Sequence, residues 1–523
     1  MHMEKLLLGV DVGTTNVKSV LFSIDGSPLA YSEGCYETYH PSSNCAEQEA
    51  EEWWNATADT IKEVVSKVKH LNSEIMAICV SSQSPTMLPI DSNGMPLRRG
   101  LIWADRRSVK ETQWIVDYFG GPEKYQSRFG CAPDSFYLLP KLIWYKNNEP
   151  DLFHKTKTIL LTNGYINYKL TGVVAIDKIQ AISATMAYNI NSNDWDNEVE
   201  RVTGIPLHDI MPPIYQQHEV IGGVSALAAE RTGLKKDTPV VCGTADGIAN
   251  ILEVGITKMG DAADITGTST MFFASADQPA PPKSTVITLQ QNFDIPDVPY
   301  MLLGASSASG ASLKWYRNAF HHYLEKERHA RGIKNVYKLL DDKAETSCPG
   351  SQGLLYFPYL SGERCPHWNS YLRGMFVGLT PTTKEEDIIR SILEGVAFST
   401  RNLMDETIKN GGVVKRIRAT GGAANSNIWL QIKASVLKMP LEVSTGIGGA
   451  PLGDALIAGY GVGLFKDFVQ AVNNFQKIDA IVEPIERWMK IYDEIYPIFT
   501  QMSKQMHSEL YDLSQALERI KQF

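Results

Sequence analysis

Two hydrophobic patterns alternate along the chain. Short, nearly continuous apolar runs end in small polar turns, and longer stretches repeat apolar residues at helical spacing. The run Leu6–Val10 stops at Asp11, a Gly13-Thr14-Thr15 turn follows, and Val17–Phe22 is mostly apolar again. This predicts strand, turn, strand. Asp25-Gly26 is a further turn, and the strand pattern resumes through Leu29, Tyr31 and Tyr36. From Glu47 to Lys69 the period changes to that of a helix: Ile61, Val64, Val65 and Val68 share a face, and acids crowd its start, where the dipole favours them. Ile75–Val80 and Pro239–Gly243 read as buried strands. Pro140–Tyr145 predicts a helix opening on its proline, as does the amphipathic stretch Pro484–Phe523. Lys384–Asn410, Asn427–Met439 and Pro451–Tyr460 are further helices. Strands and helices that alternate in this way define an α/β chain.

The pattern then begins again. Asp264-Ile265-Thr266-Gly267-Thr268-Ser269-Thr270, followed by Met271-Phe272-Phe273, repeats the logic of the first hairpin. The plainer reading is an accidental recurrence of Gly-Thr turns. The alternative is a duplicated fold, with domains at 1–255 and 256–523 and a boundary near Val254–Gly260.

Length agrees with more than one domain, since 523 residues exceed a single core. A net charge of -9 gives no general attraction to nucleic acid or to an anionic membrane. Seven scattered cysteines without a CxxC read as reduced thiols, not as a disulfide framework or a zinc site. No apolar run approaches the roughly 20 residues that span a bilayer. A cytoplasmic protein without nucleic-acid or membrane partners is therefore expected.

The candidate chemistry lies where buried strands end: Asp11 with Gly13-Thr14-Thr15, Asp246, Gly267-Thr268-Ser269, Gly310 and Gly421-Gly422. Backbone amides and hydroxyls at such turns donate to phosphate oxygens, and a carboxylate holds Mg²⁺ directly or through water. Phosphoryl transfer asks for this kind of positioning, plus a group that takes the proton of the attacking hydroxyl. Gly421-Gly422-Ala423 lets backbone approach a planar ligand, with a helix N-terminus behind it, and is equally a routine strand-to-helix turn. The loop Gln83-Ser84-Pro85-Thr86 leaves a buried strand, where open α/β sheets place ligands. Trp103-Ala104-Asp105-Arg106 ends another apolar piece, and a surface salt bridge is the plain alternative for its charges.

These motifs in this order resemble the FGGY carbohydrate kinases, which belong with hexokinase, actin and the chaperone ATPases. DVGTT at Asp11–Thr15 looks like the family's first phosphate motif. PKLIWYKNN at Pro140–Asn148 and the stretch Gly374–Gly395 look like its two signatures. YLSGERCPH at Tyr359–His367 is similar to a xylulokinase-like segment, and TGGAANSNIW at Thr420–Trp429 to the adenine-side motif. The resemblance implies two ribonuclease-H-like domains facing a cleft that closes. ATP and Mg²⁺ would be used, and a small sugar would be the partner. Asp246 would be the catalytic base, and Asp11, with Asp246, would hold the metal. Gly13, Thr14, Thr15 and Lys18 would face the phosphates. Gly267, Thr268, Ser269, Gly310, Gly421, Gly422, Ala423 and Asn425 would hold ATP. A solvated strand charge is the alternative for Lys18. The resemblance also allows a homodimer.

The sugar is less determined. Gln83, Ser84, Trp103, Asp105 and Arg106 would join Asp246 around it. The loop lacks the histidine of xylulokinases and the Arg-Glu pair of glycerol kinases. Gly247 after Asp246 leans towards gluconokinases, and Arg106 would serve a carboxylate. A ketopentose such as xylulose ranks first, gluconate second, and another ketose or polyol third. An actin-like ATPase without a sugar, or a ribonuclease-H-type nuclease, would share parts of the pattern.

Overall fold

The protein is described from a computed structural model covering residues 3–42, 44–69, 73–131, 133–290, 295–369, 371–444 and 449–520. It divides into two compact units. The first holds the chain up to Gly255, and the second begins at Ile256 and holds most of the remainder. The helices Ala450–Gly461 and Phe468–Phe475 fold with the first unit, although the sequence around them belongs to the second.

The first unit is built on a seven-stranded sheet. Its central strand, Glu4–Val12, runs antiparallel to Asn16–Ser23, which pairs antiparallel with Pro28–Cys35. On its other side it pairs in parallel with Ser73–Ser82, and that strand pairs in parallel with Pro239–Val241. Val220–Gly223 closes this side antiparallel. The second unit has its own seven-stranded sheet. Gly260–Thr266 pairs antiparallel with Thr270–Ala276 and parallel with Val414–Thr420. Tyr300–Ala305 lies antiparallel beyond the hairpin. Leu441–Val443 is parallel and Ala480–Val482 antiparallel on the other side. For six of the seven strands, order and direction repeat; the seventh differs, Thr244–Ala245 pairing with Ser73–Ser82 in the first sheet and Ile287–Gln290 lying beyond Tyr300–Ala305 in the second. The echo of the first hairpin in the second is therefore a duplication of the sheet.

Burial explains the helices. Ala50–Val68 turns Trp53, Ile61, Val64 and Val65 onto Leu6, Leu8 and Val10 of the first sheet. A separate core in the same unit gathers Tyr125, Phe129, Leu142 and Tyr145. The helix carrying the first signature runs Leu138–Asn148, two residues earlier than its proline suggested. Pro140 sits within the first turn, where a missing N–H costs nothing. Its neighbour Lys141 is fully buried, donates to the carbonyls of Ile102 at 2.8 Å and Phe136 at 2.7 Å, and is pushed down to about 7 by burial.

In the second unit the helix Glu385–Lys409 carries the second signature. Arg390 and Glu394 form a buried ion pair of 2.8 Å, and Glu394 also accepts from Gly350 N, Ser351 Oγ and Tyr492 Oη. A Cβ at Gly395 would lie 2.0 Å from the Tyr356 carbonyl oxygen. These signature residues hold the unit together. The amphipathic C-terminal stretch is two helices, Glu486–Gln505 and His507–Ile520, and its last three residues lie outside the described ones.

Backbones pack closely on one another in the first unit. A Cβ at Gly9 would come within 2.0 Å of the Pro451 carbonyl oxygen, and one at Gly453 within 2.0 Å of the Ala249 carbonyl oxygen. The helix Ala450–Gly461 therefore lies directly on the central strand and on the helix Asp246–Val254. Neither neighbour is a flexible side chain, so an added methyl forces the backbone apart. Gly9→Ala should lower stability by about 2–3 kcal/mol. Urea unfolding measures this, and an unchanged midpoint would mean that the helix does not dock there.

Candidate active site

Three strand ends line up in the first unit. Asp11 lies beside Ser81 in one parallel ladder, and Thr244 lies beside Ser81 in the other. Strand spacing then sets Asp11 and Thr244 roughly 10 Å apart across the sheet. Asp246 follows at once, in the first turn of the helix Asp246–Val254, where its Oδ1 accepts from the Gly247 N–H at 2.6 Å. The sheet thus brings Asp11 and Asp246 to one end.

Burial dominates the charges here. It pushes the Asp246 carboxyl up to about 7, and the Asp11 charge adds to the shift. Asp11 itself rises to about 6 through burial, opposed by the Lys18 charge. Lys18 sits across the hairpin from Asp11. Asp11 Oδ1 is buried and has no hydrogen-bond partner. Tyr36 donates to the Gly13 carbonyl and is pushed upward by burial and by both aspartates.

Two more acids stand behind this pair, and sequence reasoning missed both. Asp454 is fully buried, and its Oδ2 accepts from Ser81 Oγ at 2.8 Å. Burial drives its carboxyl far upward, and Asp11 adds to that. Glu253 accepts from the Gly449 N–H at 2.7 Å and is pushed to about 7, chiefly by burial. Asp454 was detectable as the lone carboxylate of the small-residue stretch Ala450–Gly461. Glu253 had no comparable signal.

The loop after Ser73–Ser82 closes over the same strand ends. The Gln83 N–H donates to the Val12 carbonyl at 2.9 Å. Gln83 Oε1 and Ser84 Oγ are buried without partners. Trp103 Nε1 donates to Thr14 Oγ1 at 3.0 Å, so Trp103 is tied to the Gly-Thr-Thr turn and is no free core residue. Asp105, expected as a hydroxyl partner, is instead a structural ion. It is fully buried, and its oxygens accept from the Ala46 N–H and from the Arg107 guanidinium. The physical reason is the need to neutralise a buried carboxylate. Arg106 is paired with Asp134 and lies over the Phe136 ring at 6.0 Å.

In the second unit the expected nucleotide residues also converge. The Gly310 N–H donates to the Gly267 carbonyl and the Ala311 N–H to the Thr268 carbonyl, both at 3.0 Å. A Cβ at Gly310 would lie 2.3 Å from the Gly267 oxygen, so only glycine lets the helix start there. Gly421 has φ +88°, with Thr266 O at 2.7 Å from a hypothetical Cβ. Gly422, Ala423 and Asn425 form the short turn that follows, and Ser426 caps the helix Asn427–Leu437. Ser269 closes the hairpin turn, its carbonyl accepting from the Gly267 N–H at 2.9 Å. Asp264 of this hairpin is neutralised by buried Lys433, 2.7 Å away. Asp11 has no such internal cation bonded to it among the described residues.

Among the described residues no group of three or more His, Cys, Asp or Glu side chains is placed to hold a metal ion. The unpartnered Asp11 oxygen nevertheless suits a hard cation that takes its remaining ligands from phosphate and water. All seven cysteines are free. Among the described residues no helix is long and apolar enough to cross a membrane.

A duplicated α/β sheet, with acids at one end of the first copy and a glycine-lined turn in the second, suits phosphoryl transfer. Residues 6–252 match the FGGY family of carbohydrate kinases, N-terminal domain, and residues 262–462 its C-terminal domain. The chain belongs to the FGGY family of carbohydrate kinases and is a sugar kinase. It is 32% identical over 508 residues to a gluconokinase of Bacillus subtilis, covering 97% of each chain. It is 27% identical over 511 residues to a xylulose kinase of Staphylococcus epidermidis, covering 98% of this chain and 99% of the other. A ligand-bound xylulose kinase structure from Lactobacillus acidophilus superimposes with a TM-score of 0.86 at 25% identity, covering 97% of this chain and all of that one. Family membership removes the readings as an ATPase without a sugar and as a nuclease.

The raised acids have a consequence for stability. An Asp246 carboxyl lifted from 3.8 to about 7 binds its proton more tightly in the folded state. Its contribution is therefore present below pH 4 and is lost as pH rises through 7. Asp246→Asn should raise the ligand-free melting temperature at pH 8, by the equivalent of about 1–2 kcal/mol, and leave it nearly unchanged at pH 4. Calorimetry at both pH values checks this. Equal shifts at the two would mean that the carboxyl is not perturbed.

Proposed function

We propose that the chain transfers the γ-phosphate of ATP to a hydroxyl of a neutral ketose, a ketopentose such as xylulose ranking first. The observation that carries the reaction is the pair at the sheet end, where Asp246 is poised near neutrality beside the Asp11 charge. A base is most effective when its pKa lies near the working pH. Asp246 takes the proton of the sugar hydroxyl as that oxygen attacks phosphorus. Thr14, Thr15 and the Gly13 turn donate to phosphate oxygens, and Lys18 supplies positive charge there. Mg²⁺, held by Asp11 with Asp246 and by phosphate and water, would neutralise the charge that develops on phosphate. Gly267, Thr268, Ser269, Gly310, Gly421, Gly422, Ala423 and Asn425 are the residues proposed to hold the nucleotide on the second unit. The sugar is assigned to the first.

The preference for a neutral sugar rests on where the cations are spent. Arg106 is paired with Asp134, Arg107 with Asp105 and Glu47, and Lys141 with two carbonyls. In the loop Gln83–Thr86 the unpartnered atoms are neutral ones, Gln83 Oε1 and Ser84 Oγ. Gluconate is the second reading, favoured by the 32% identity to a gluconokinase.

Asp246→Ala should cut sugar phosphorylation by about 10²–10⁴-fold and leave ATP affinity within a few-fold. In the intact enzyme kcat/KM should rise with pH through about 7, as the base loses its proton. Normal turnover by the variant would remove Asp246 from the chemistry. ADP release measured with ketoses, polyols and sugar acids decides the substrate. Xylulose should stimulate most, and stronger stimulation by gluconate would select the second reading.

A further inference from the structure

We infer that Gln48 is a positioning residue that sets which end of the Gln83 amide faces the ligand, and that the ligand group met there is a hydroxyl donating a hydrogen bond. This rests on the reading that the Gln83–Ser84 loop faces the sugar.

A glutamine amide is nearly symmetric in shape, so its neighbours decide which end is oxygen and which nitrogen. Gln48 is fully buried and has an unambiguous partner at each end. The Trp53 indole N–H, which can only donate, lies 2.9 Å from Gln48 Oε1. The Thr14 backbone carbonyl, which can only accept, lies 2.7 Å from Gln48 Nε2. Thr38 Oγ1 accepts from the same nitrogen at 2.7 Å. Rotating the Gln48 amide would set donor against donor and acceptor against acceptor.

That polarity passes to the loop. Gln48 Oε1 also accepts from Gln83 Nε2, at 2.6 Å. With Gln48 fixed, a rotated Gln83 would set oxygen against oxygen at that distance. Gln83 must therefore point its nitrogen inward and its oxygen away. That oxygen is buried and has no partner, and the Ser84 hydroxyl next to it has none either. A buried carbonyl oxygen without a donor is costly, and a ligand O–H relieves the cost. A carboxylate or a phosphate has no proton to offer, so an anionic substrate would have to turn a hydroxyl to this point. The relay from Trp53 through Gln48 to Gln83 thus selects for a hydroxylated face. Its branch to Thr14 joins that selection to the turn of the first hairpin.

The test has two parts. The first needs no substrate. In ligand-free protein labelled with ¹⁵N-glutamine, the Gln83 side-chain amide protons should exchange at least about tenfold more slowly than those of exposed glutamines, because one is held by Gln48. Gln48→Met should abolish that protection. Fast exchange in the unaltered protein overturns the relay, whatever the enzyme phosphorylates.

The second part uses the best substrate of the sugar panel. Gln48→Met should raise the sugar KM by about tenfold while kcat and the ATP KM stay within about threefold. Trp53→Phe, which removes the donor at the other end, should act in the same direction. Adding Gln83→Glu to Gln48→Met should restore most of the sugar KM at pH 9, where a buried carboxyl is ionised and presents an acceptor whichever way it turns. A Gln48 that only fills space would not be rescued in this way. An unchanged KM in Gln48→Met, or no rescue, overturns the inference. A panel in which no sugar is phosphorylated overturns the assignment of the loop to the sugar, and the exchange experiment still decides the relay.

Discussion

Carboxylates forced out of water at the end of the first sheet are the constraint around which the first unit is arranged. Asp11, Asp246, Glu253 and Asp454 are all pushed upward by burial, with Lys18 the cation whose charge opposes two of the shifts. A fold optimised only for stability would not gather such groups, because each desolvated acid costs free energy unless it is neutralised. Asp454 and Glu253 are at least bonded, to Ser81 and to Gly449. Asp246 has one backbone donor, and Asp11 keeps a bare oxygen. The acids least satisfied by the protein are the two that the kinase reading assigns to the substrate side.

The duplicated sheet makes this asymmetry visible. Both hairpins carry an aspartate, but at different registers: Asp11 is one pair removed from the last pair before its turn and Asp264 two, so the two side chains lie on opposite faces of their sheets. Asp264 is locked to Lys433 and Thr266, with neither charge exposed. Its turn then offers glycine backbone, with Gly310 and Gly421 packed against Gly267 and Thr266. The first hairpin thus presents a charged centre, and the second a neutral, backbone-lined cradle.

Much of this was legible in the residues, for physical reasons. Buried strands that stop at an acid or a Gly-Thr turn stand out among the residues, so Asp11, Asp246 and the Gly267 turn could be found from local pattern. The long helices followed from their period. Three things were not local. Asp105 looked available, and only the fold shows that Arg107 and the Ala46 N–H take its oxygens. Gln48 lies in a polar run, with nothing to distinguish it until Trp53, Thr14 and Gln83 close around it. The docking of Ala450–Gly461 on Gly9 depends on a contact between residues more than 400 positions apart, which no periodicity reports.

That distant helix also bears on how the chain is made. The central strand of the first sheet leaves the ribosome early, and the backbone that must lie against Gly9 follows only with Pro451. At ordinary synthesis rates the interval between Gly255 and that helix is roughly 10–40 s. During it the first sheet has one face without its cover, with Cys79, Ser81 and Gly9 awaiting Asp454 and Pro451. The first unit therefore cannot finish folding as an independent N-terminal piece. Its completion waits for most of the second unit to be synthesised, and co-translational folding of the two is coupled by topology.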